Sequence, residues 1–167
     1  MASNILLDEE LNPKISDFSM GRIFGGNELQ ANTIRVVGTY GWLCPLSMEG
    51  IFSEKSNVCS LGVLLLEIVS GKRNPGFYQH EQSLILFGNA WKLWNENNVQ
   101  ALISPGLLEP CFQEEILRCI HVGLLCVQEF AKDRPIVPII FYMLTSEITQ
   151  LLTPKQPAFT GRPTYSD

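Results

Sequence analysis

Apolar residues recur at helical spacing in four stretches of the chain, and each stretch predicts an α-helix. In the first, Val58, Leu61, Leu64, Leu65, Ile68 and Val69 cover most of a helical circumference. This helix, capped at Ser53 or Ser56 and stopped by Gly71, is expected to be buried on nearly all sides. A second starts near Ser83, carries Leu84, Phe87, Trp91 and Trp94 on one face, and ends at Asn97-Asn98. A third covers residues 113–128, with Ile116, Leu117, Ile120, Leu124 and Val127 in register. A fourth covers residues 136–147. Pro138 falls in its first turn, where a missing N–H costs little.

The segments before the helices follow a different rhythm. Ile5, Leu6 and Leu7 form an apolar run, Asp8 to Pro13 reads as a turn, and Lys14-Ile15-Ser16 reads as a second strand. Together they predict a β-hairpin within residues 1–19. Residues 20–50 hold six glycines and no sustained periodicity. A loop of about thirty residues is unusual inside a compact domain, and such loops are mostly functional or disordered. From Thr153 the tail contains Pro154, Pro157, Gly161 and Pro163, so residues 153–167 are expected to be extended or disordered. The fold class is therefore mainly α: a short β-hairpin, a long loop and four to five helices within residues 1–152.

Composition narrows the possibilities. At 167 residues and 46% apolar, the chain can bury one sizeable core. Only 17% of residues are charged, where about a quarter is usual, so some apolar surface expects a covering. The net charge is −5 and no lysine or arginine stripe forms, which argues against nucleic acid as a partner. Five cysteines occur without a CxxC pair and read as buried free thiols in a reducing compartment. Met1-Ala-Ser-Asn4 has neither the basic region nor the apolar run of a signal peptide. The apolar stretch from Leu61 to Val69 contains Glu67 and is too short to span a bilayer, so no membrane segment is expected. These features predict a soluble, cytoplasmic product. His80 and His121 lack metal-ligand spacing, and Gly25-Gly26 lacks the strand-before, helix-after setting of a phosphate cradle.

Asn4 and Asp17 are the residues with candidate chemistry. Magnesium takes oxygen ligands and keeps several waters, so an amide and a carboxylate at the ends of neighbouring strands can hold it beside substrate phosphates. On spacing alone, two surface turn residues explain the pair better.

A family resemblance changes that balance. Asn4-Ile-Leu-Leu-Asp8, Pro13-Lys-Ile-Ser-Asp-Phe18, Val37-Gly-Thr-Tyr-Gly41, Ser60-Leu-Gly-Val-Leu-Leu-Leu-Glu-Ile-Val-Ser-Gly71, Gly123-Leu-Leu-Cys-Val-Gln128 and Asp133-Arg-Pro135 occur in this order. From Asn4 onward, nearly the whole chain resembles the C-terminal lobe of plant receptor-like serine/threonine kinases. The nearest groups are the S-domain (lectin-type) and cysteine-rich receptors. The resemblance implies the helical lower lobe of a bilobal kinase, with Asn4 and Asp17 as metal-binding positions. It implies Mg2+ and ATP as the family's cofactors, and places Ser19, Thr33 and Thr39 in the activation-loop region.

The departures are as informative. The family's catalytic loop reads His-Arg-Asp-Leu-Lys-x-x-Asn, and Met1 stands where its lysine should be. The proton-accepting aspartate, the phosphate-covering glycine loop, the anchoring lysine and its glutamate partner are not among these residues. A positioned general base contributes about 10²–10⁴-fold in rate, and phosphoryl transfer depends mainly on positioning and charge stabilisation. Asp17-Phe18-Ser19 replaces Asp-Phe-Gly. Cys44-Pro45-Leu46 replaces the family's Ala/Ser-Pro-Glu, whose glutamate pairs with the arginine that Arg134 matches. A buried arginine left without its partner costs about 3–5 kcal/mol, unless Glu49 shifts to replace it. Asn57 stands where the family has an aspartate that accepts bonds from the catalytic loop. An amide carries no charge, and its NH₂ needs an acceptor of its own.

The resulting expectation is a truncated, catalytically inactive kinase C-lobe that does not bind Mg-ATP alone. It would be cytoplasmic and act by binding a related kinase or a protein substrate. Complete family members would sit at the cytoplasmic face of the plasma membrane. Two alternatives stand beside it: a serine/threonine kinase transferring the γ-phosphate of ATP as part of a longer chain, and a non-functional fragment.

Overall fold

Four helices, packed around a crossing of two of them, form the body of the protein in a computed structural model that describes residues 5–16, 30–32, 51–74, 86–146 and 150–157. The order is β1 (Ile5–Leu7), β2 (Pro13–Ile15), β3 (Gln30–Asn32), β4 (Ile51–Ser53), α1 (Glu54–Ser70), α2 (Leu86–Asn95), α3 (Gln113–Cys126) and α4 (Val137–Thr145). The mainly helical class with a short hairpin is thus observed. β1 and β2 form the antiparallel hairpin, with Ile5 opposite Ile15 and Leu7 opposite Pro13.

Within the segment expected to be an irregular loop, β3 pairs with β4, Gln30 lying opposite Ser53 and Asn32 opposite Ile51. A three-residue strand carries too little periodicity to register in the sequence, because its partner lies about twenty residues away.

Helix ends follow local chemistry. Gly71 has φ +65°, and its N–H donates to the Glu67 carbonyl at 2.9 Å, the αL stop that glycine adopts without strain. At the end of α2, Asn97 takes φ +53°. The Asn98 N–H donates back to the Leu93 carbonyl and the Asn97 N–H to the Trp94 carbonyl, a Schellman stop built on asparagine. α2 therefore ends at Asn95, two residues before the expected Asn97; its expected start near Ser83 lies outside the described residues. α4 begins at Val137 with Pro138 in its first turn, as the pattern required. Among the described residues, four 3₁₀ turns also occur, Val99–Leu102, Pro105–Leu107, Pro110–Phe112 and Ala131–Asp133, and two of them start on proline.

The core is organised by the meeting of α1 and α3. A Cβ on Gly62 would lie 2.6 Å from the Cys126 Cβ and 2.8 Å from the Gly123 carbonyl oxygen. On Gly123 it would press on Leu66 at 3.1 Å. Each helix thus carries a glycine where the backbones approach most closely. To one side Val63, Leu66, Val69, Phe87, Ile120 and Leu124 pack together; to the other, Val58, Val122, Leu125, Ile140 and Met143. Burying each such side chain contributes about 1.5–3 kcal/mol.

The expectation that α1 is buried all round requires correction. Val58, Gly62, Val63, Leu66 and Val69 are buried, Leu61, Leu64 and Leu65 are half-buried, and Ile68 is 56% exposed. Asn57, Leu61, Leu64 and Ile68 lie on one stripe of the 3.6-residue period, turned away from α3. Trp91 and Trp94 pack on the core, half-buried, as read from the sequence.

Of the described cysteines, Cys59 and Cys126 are buried, Cys119 is intermediate and Cys111 is exposed, so burial holds for only part of the set. The tail from 153 is extended as far as Pro157 and packed, with Pro154 and Pro157 buried.

Candidate functional site

Arg134 is the best-defined of the residues singled out by sequence. It follows the 3₁₀ turn Ala131–Asp133 and precedes Pro135, which favours the extended backbone it adopts at φ −72°, ψ 138°. Only 2% of its surface is exposed. Its Nε donates to the Gln128 carbonyl at 2.7 Å, Nη1 to the Lys55 carbonyl at 2.9 Å and Nη2 to the Glu129 carbonyl at 3.1 Å. Lys55 Nζ returns a bond to the Arg134 carbonyl. The guanidinium thus joins the loop after α3 to the first turn of α1.

This arrangement tempers the cost expected from the loss of a glutamate partner. A buried cation whose planar fork meets several carbonyl oxygens is not uncompensated, because each carbonyl dipole presents its negative end. Pro45, Leu46 and Glu49 lie outside the described residues.

Asn57 is exposed on α1. Water can therefore accept from its NH₂ group and supplies the acceptor that the amide needs. Asn4, Asp17, Ser19, Thr33 and Thr39 lie outside the described residues. The hairpin between the first two is described: Ile5, one residue after Asn4, lies opposite Ile15, two residues before Asp17.

The closed end of the hairpin is organised by Asp8. Its Oδ1 accepts from the Asn12 N–H at 2.7 Å and the Glu10 N–H at 3.2 Å, and Lys14 Nζ lies 3.4 Å from Oδ2. The Asn12 N–H foremost holds the Asp8 carboxyl below the usual aspartate range. Amide and carboxylate oxygens at Asn4 and Asp17 suit Mg2+ in chemistry. Among the described residues, no group of three or more His, Cys, Asp or Glu could hold a metal ion.

Sequence reasoning missed a second polar node. Glu67 is buried on α1, and its Oε1 accepts from the Asn74 N–H at 2.6 Å. Asn74 Oδ1 accepts from the Leu86 N–H at 3.0 Å. One carboxylate and one amide therefore tie the exit of α1 to the entry of α2. Burial pushes the Glu67 carboxyl up, and the Asn74 N–H partly offsets this. A lone glutamate within an otherwise apolar run was the available signal. Burial pushes the His121 imidazole down, partly offset by the Leu152 carbonyl 2.8 Å from Nε2, and its ring lies 4.6 Å from that of Trp94.

Comparison with known proteins agrees with this architecture. Residues 1–144 match the family described as protein tyrosine and serine/threonine kinase. The chain is 60% identical over 162 residues to the G-type lectin S-receptor-like serine/threonine-protein kinase SD1-13 of Arabidopsis thaliana, covering 96% of this chain and 20% of that protein. It is 53% identical over 163 residues to the receptor-like serine/threonine-protein kinase SD1-7 of the same plant, covering 95% and 19%. It is also 50% identical over 159 residues to its cysteine-rich receptor-like protein kinase 6, covering 95% and 24%. The chain spans about a fifth of the length of the first of these relatives. No helix among the described residues is long and apolar enough to cross a membrane.

Proposed function

The chain belongs to the protein tyrosine and serine/threonine kinase family, and we propose that its 167 residues form a kinase lower lobe that works by binding and does not itself transfer phosphate. Its partners would be a related kinase or a protein substrate in the cytoplasm. The observation that carries this reading is a mismatch between framework and chemistry. The helical framework and the Arg134 node are intact, whereas Asp17-Phe18-Ser19, Cys44-Pro45-Leu46 and Asn57 depart from the family's Asp-Phe-Gly, Ala/Ser-Pro-Glu and helix aspartate. Asn4 and Asp17 stand at the positions that in this family hold Mg2+ against the phosphates of ATP, and in our reading these 167 residues alone do not bind Mg-ATP. Exposed apolar side chains on α1 and α4, among them Ile68, Phe141 and Tyr142, supply surface for a protein partner.

Incubating the purified chain with radiolabelled ATP, Mg2+ and a general substrate such as casein tests the proposal. Label transfer no higher than without the protein is expected; transfer that grows with protein concentration would sink it. A second reading is that these residues work within a longer serine/threonine kinase that transfers the γ-phosphate of ATP. The relatives favour it, being about five times as long while matching nearly all of this chain. Coding sequence for a His-Arg-Asp loop joined upstream of Met1 would decide for this second reading.

A further inference from the structure

We propose that residues 151–157 are a strap that positions Arg134, with Gln128 as the joint between them. This goes beyond the functional reading above and stands whether or not the chain handles nucleotide.

The strap and the arginine share the same two residues of the loop after α3. Gln128 and Glu129 give their carbonyl oxygens to Arg134 Nε and Nη2 at 2.7 and 3.1 Å. On the strap side, the Lys155 N–H donates to Gln128 Oε1 at 2.8 Å, the Glu129 N–H donates to the Gln156 carbonyl at 3.1 Å, and Gln128 forms a β-bridge with Pro157. The Gln128 amide is engaged at both ends, since its Nε2 donates to the Asp133 and Leu125 carbonyls at 2.7 and 2.9 Å. The Asp133 and Leu125 carbonyls belong to the residue before Arg134 and to the last turn of α3. One buried side chain therefore ties strap, helix end and arginine loop together.

The composition of the strap suits this role. Pro154 and Pro157 are buried and bring no N–H that would need a partner, so burying these two positions orphans no donor. The Lys155 side chain is mostly exposed and pairs with Asp133 at 2.7 Å. Such surface pairs contribute little, so the hold resides in the backbone bonds. From Arg134 the path continues to Lys55 in the first turn of α1, through bonds in both directions. Displacing the strap would release the acceptors of Arg134 and, through it, the start of α1.

Native-state hydrogen exchange by NMR on the full 167-residue chain tests the idea, reading Arg134 Nε–H, the Lys155 and Glu129 amides, and Ala90 in α2 as a distant reference. In the unmodified chain, Arg134 Nε–H and the Lys155 amide should show protection factors within about threefold of each other, as members of one opening unit. Lys155→Pro removes the latching N–H and should speed Arg134 Nε–H exchange about tenfold, the scale of one lost hydrogen bond. Lys155→Ala removes only the ion pair and should stay within about twofold. Unchanged Arg134 exchange in Lys155→Pro, with Ala90 protection kept, would overturn the proposal. If that variant lowers Ala90 protection as well, the unmodified chain decides. There, Arg134 staying protected more than about a hundredfold beyond the strap amides would overturn it equally.

Discussion

The meeting of α1 with α3 and the outer faces of α1 and α4 are made from the same kinds of residue, yet they behave as opposites. At the meeting, two glycines let the backbones touch, Leu66, Ile120, Leu124 and Val127 are fully buried, and the polar groups nearby are paired. On the outer faces Ile68 is 56% exposed and Phe141 68%. α4 is apolar around almost its whole circumference, but of its nine residues only Ile140 and Met143 are buried. The contrast shows that apolar content alone does not set how buried a helix is; the side on which neighbours stand does. It also divides the molecule into a part that closes itself and a part that offers surface.

The sharpest way to break this comparison is thiol reactivity. Burial pushes the Cys126 thiol up to about 12, which keeps it protonated at neutral pH, whereas Cys111 lies on the surface. Thiolate is the reactive form, so a maleimide should label Cys111 at least about a thousandfold faster than Cys126 in the native chain, as peptide mass spectrometry can read. Similar rates would show that the α1–α3 meeting opens readily.

Two substitutions then probe how closed the interior is. Arg134→Ala leaves three carbonyls without their donor and should cost about 3 kcal/mol, at roughly 1 kcal/mol per bond, measured as the shift in urea unfolding. Gly62→Ala forces a methyl group against the Cys126 Cβ and the Gly123 carbonyl, and should cost about 2–3 kcal/mol by overpacking. A neutral result for Gly62→Ala would mean that the helices meet less closely than described.

A smaller effect separates the buried carboxylate from its surroundings. The Glu67 carboxyl is raised above its ordinary 4.5 by burial, so the folded chain holds this proton more tightly than the unfolded chain does. Its contribution to stability is then fully present below about 4.5 and is lost as pH rises through the higher folded value. Glu67→Gln keeps an acceptor for the Asn74 N–H and removes the titration. The stability of the unmodified chain relative to this variant should therefore fall as pH rises above the ordinary 4.5. The smallest effects belong to the outer faces: Ile68→Ser and Phe141→Ser should each change stability by less than about 0.5 kcal/mol.

Helix positions were legible in the sequence because they rest on local signals. The periodic leucines of α1, Gly71 as its stop and Pro138 in the first turn of α4 all act within a few residues of where they are read. Relations across the chain were not legible. Ile68 follows the same pattern as Leu66 and Val69, and only the placement of α2 and α3 decides which of them is covered. β3 was hidden because its partner is distant. The packing of Pro154 and Pro157 was hidden because a proline-rich tail gives no hint of what it will lie on. At the candidate site, Arg134 was found through its Asp133-Arg134-Pro135 setting, but its carbonyl partners and Gln128 became visible only once the loop was folded.

Titration calorimetry of the purified chain with Mg-ATP tests the central claim most directly: a kinase lower lobe that keeps its framework without nucleotide chemistry of its own. The claim predicts no heat beyond dilution up to about millimolar nucleotide, the weakest range in which specific binding is normally scored. Saturable binding near 1 µM, roughly −8 kcal/mol, would contradict it, because Asn4 and Asp17 would then be part of a working nucleotide site.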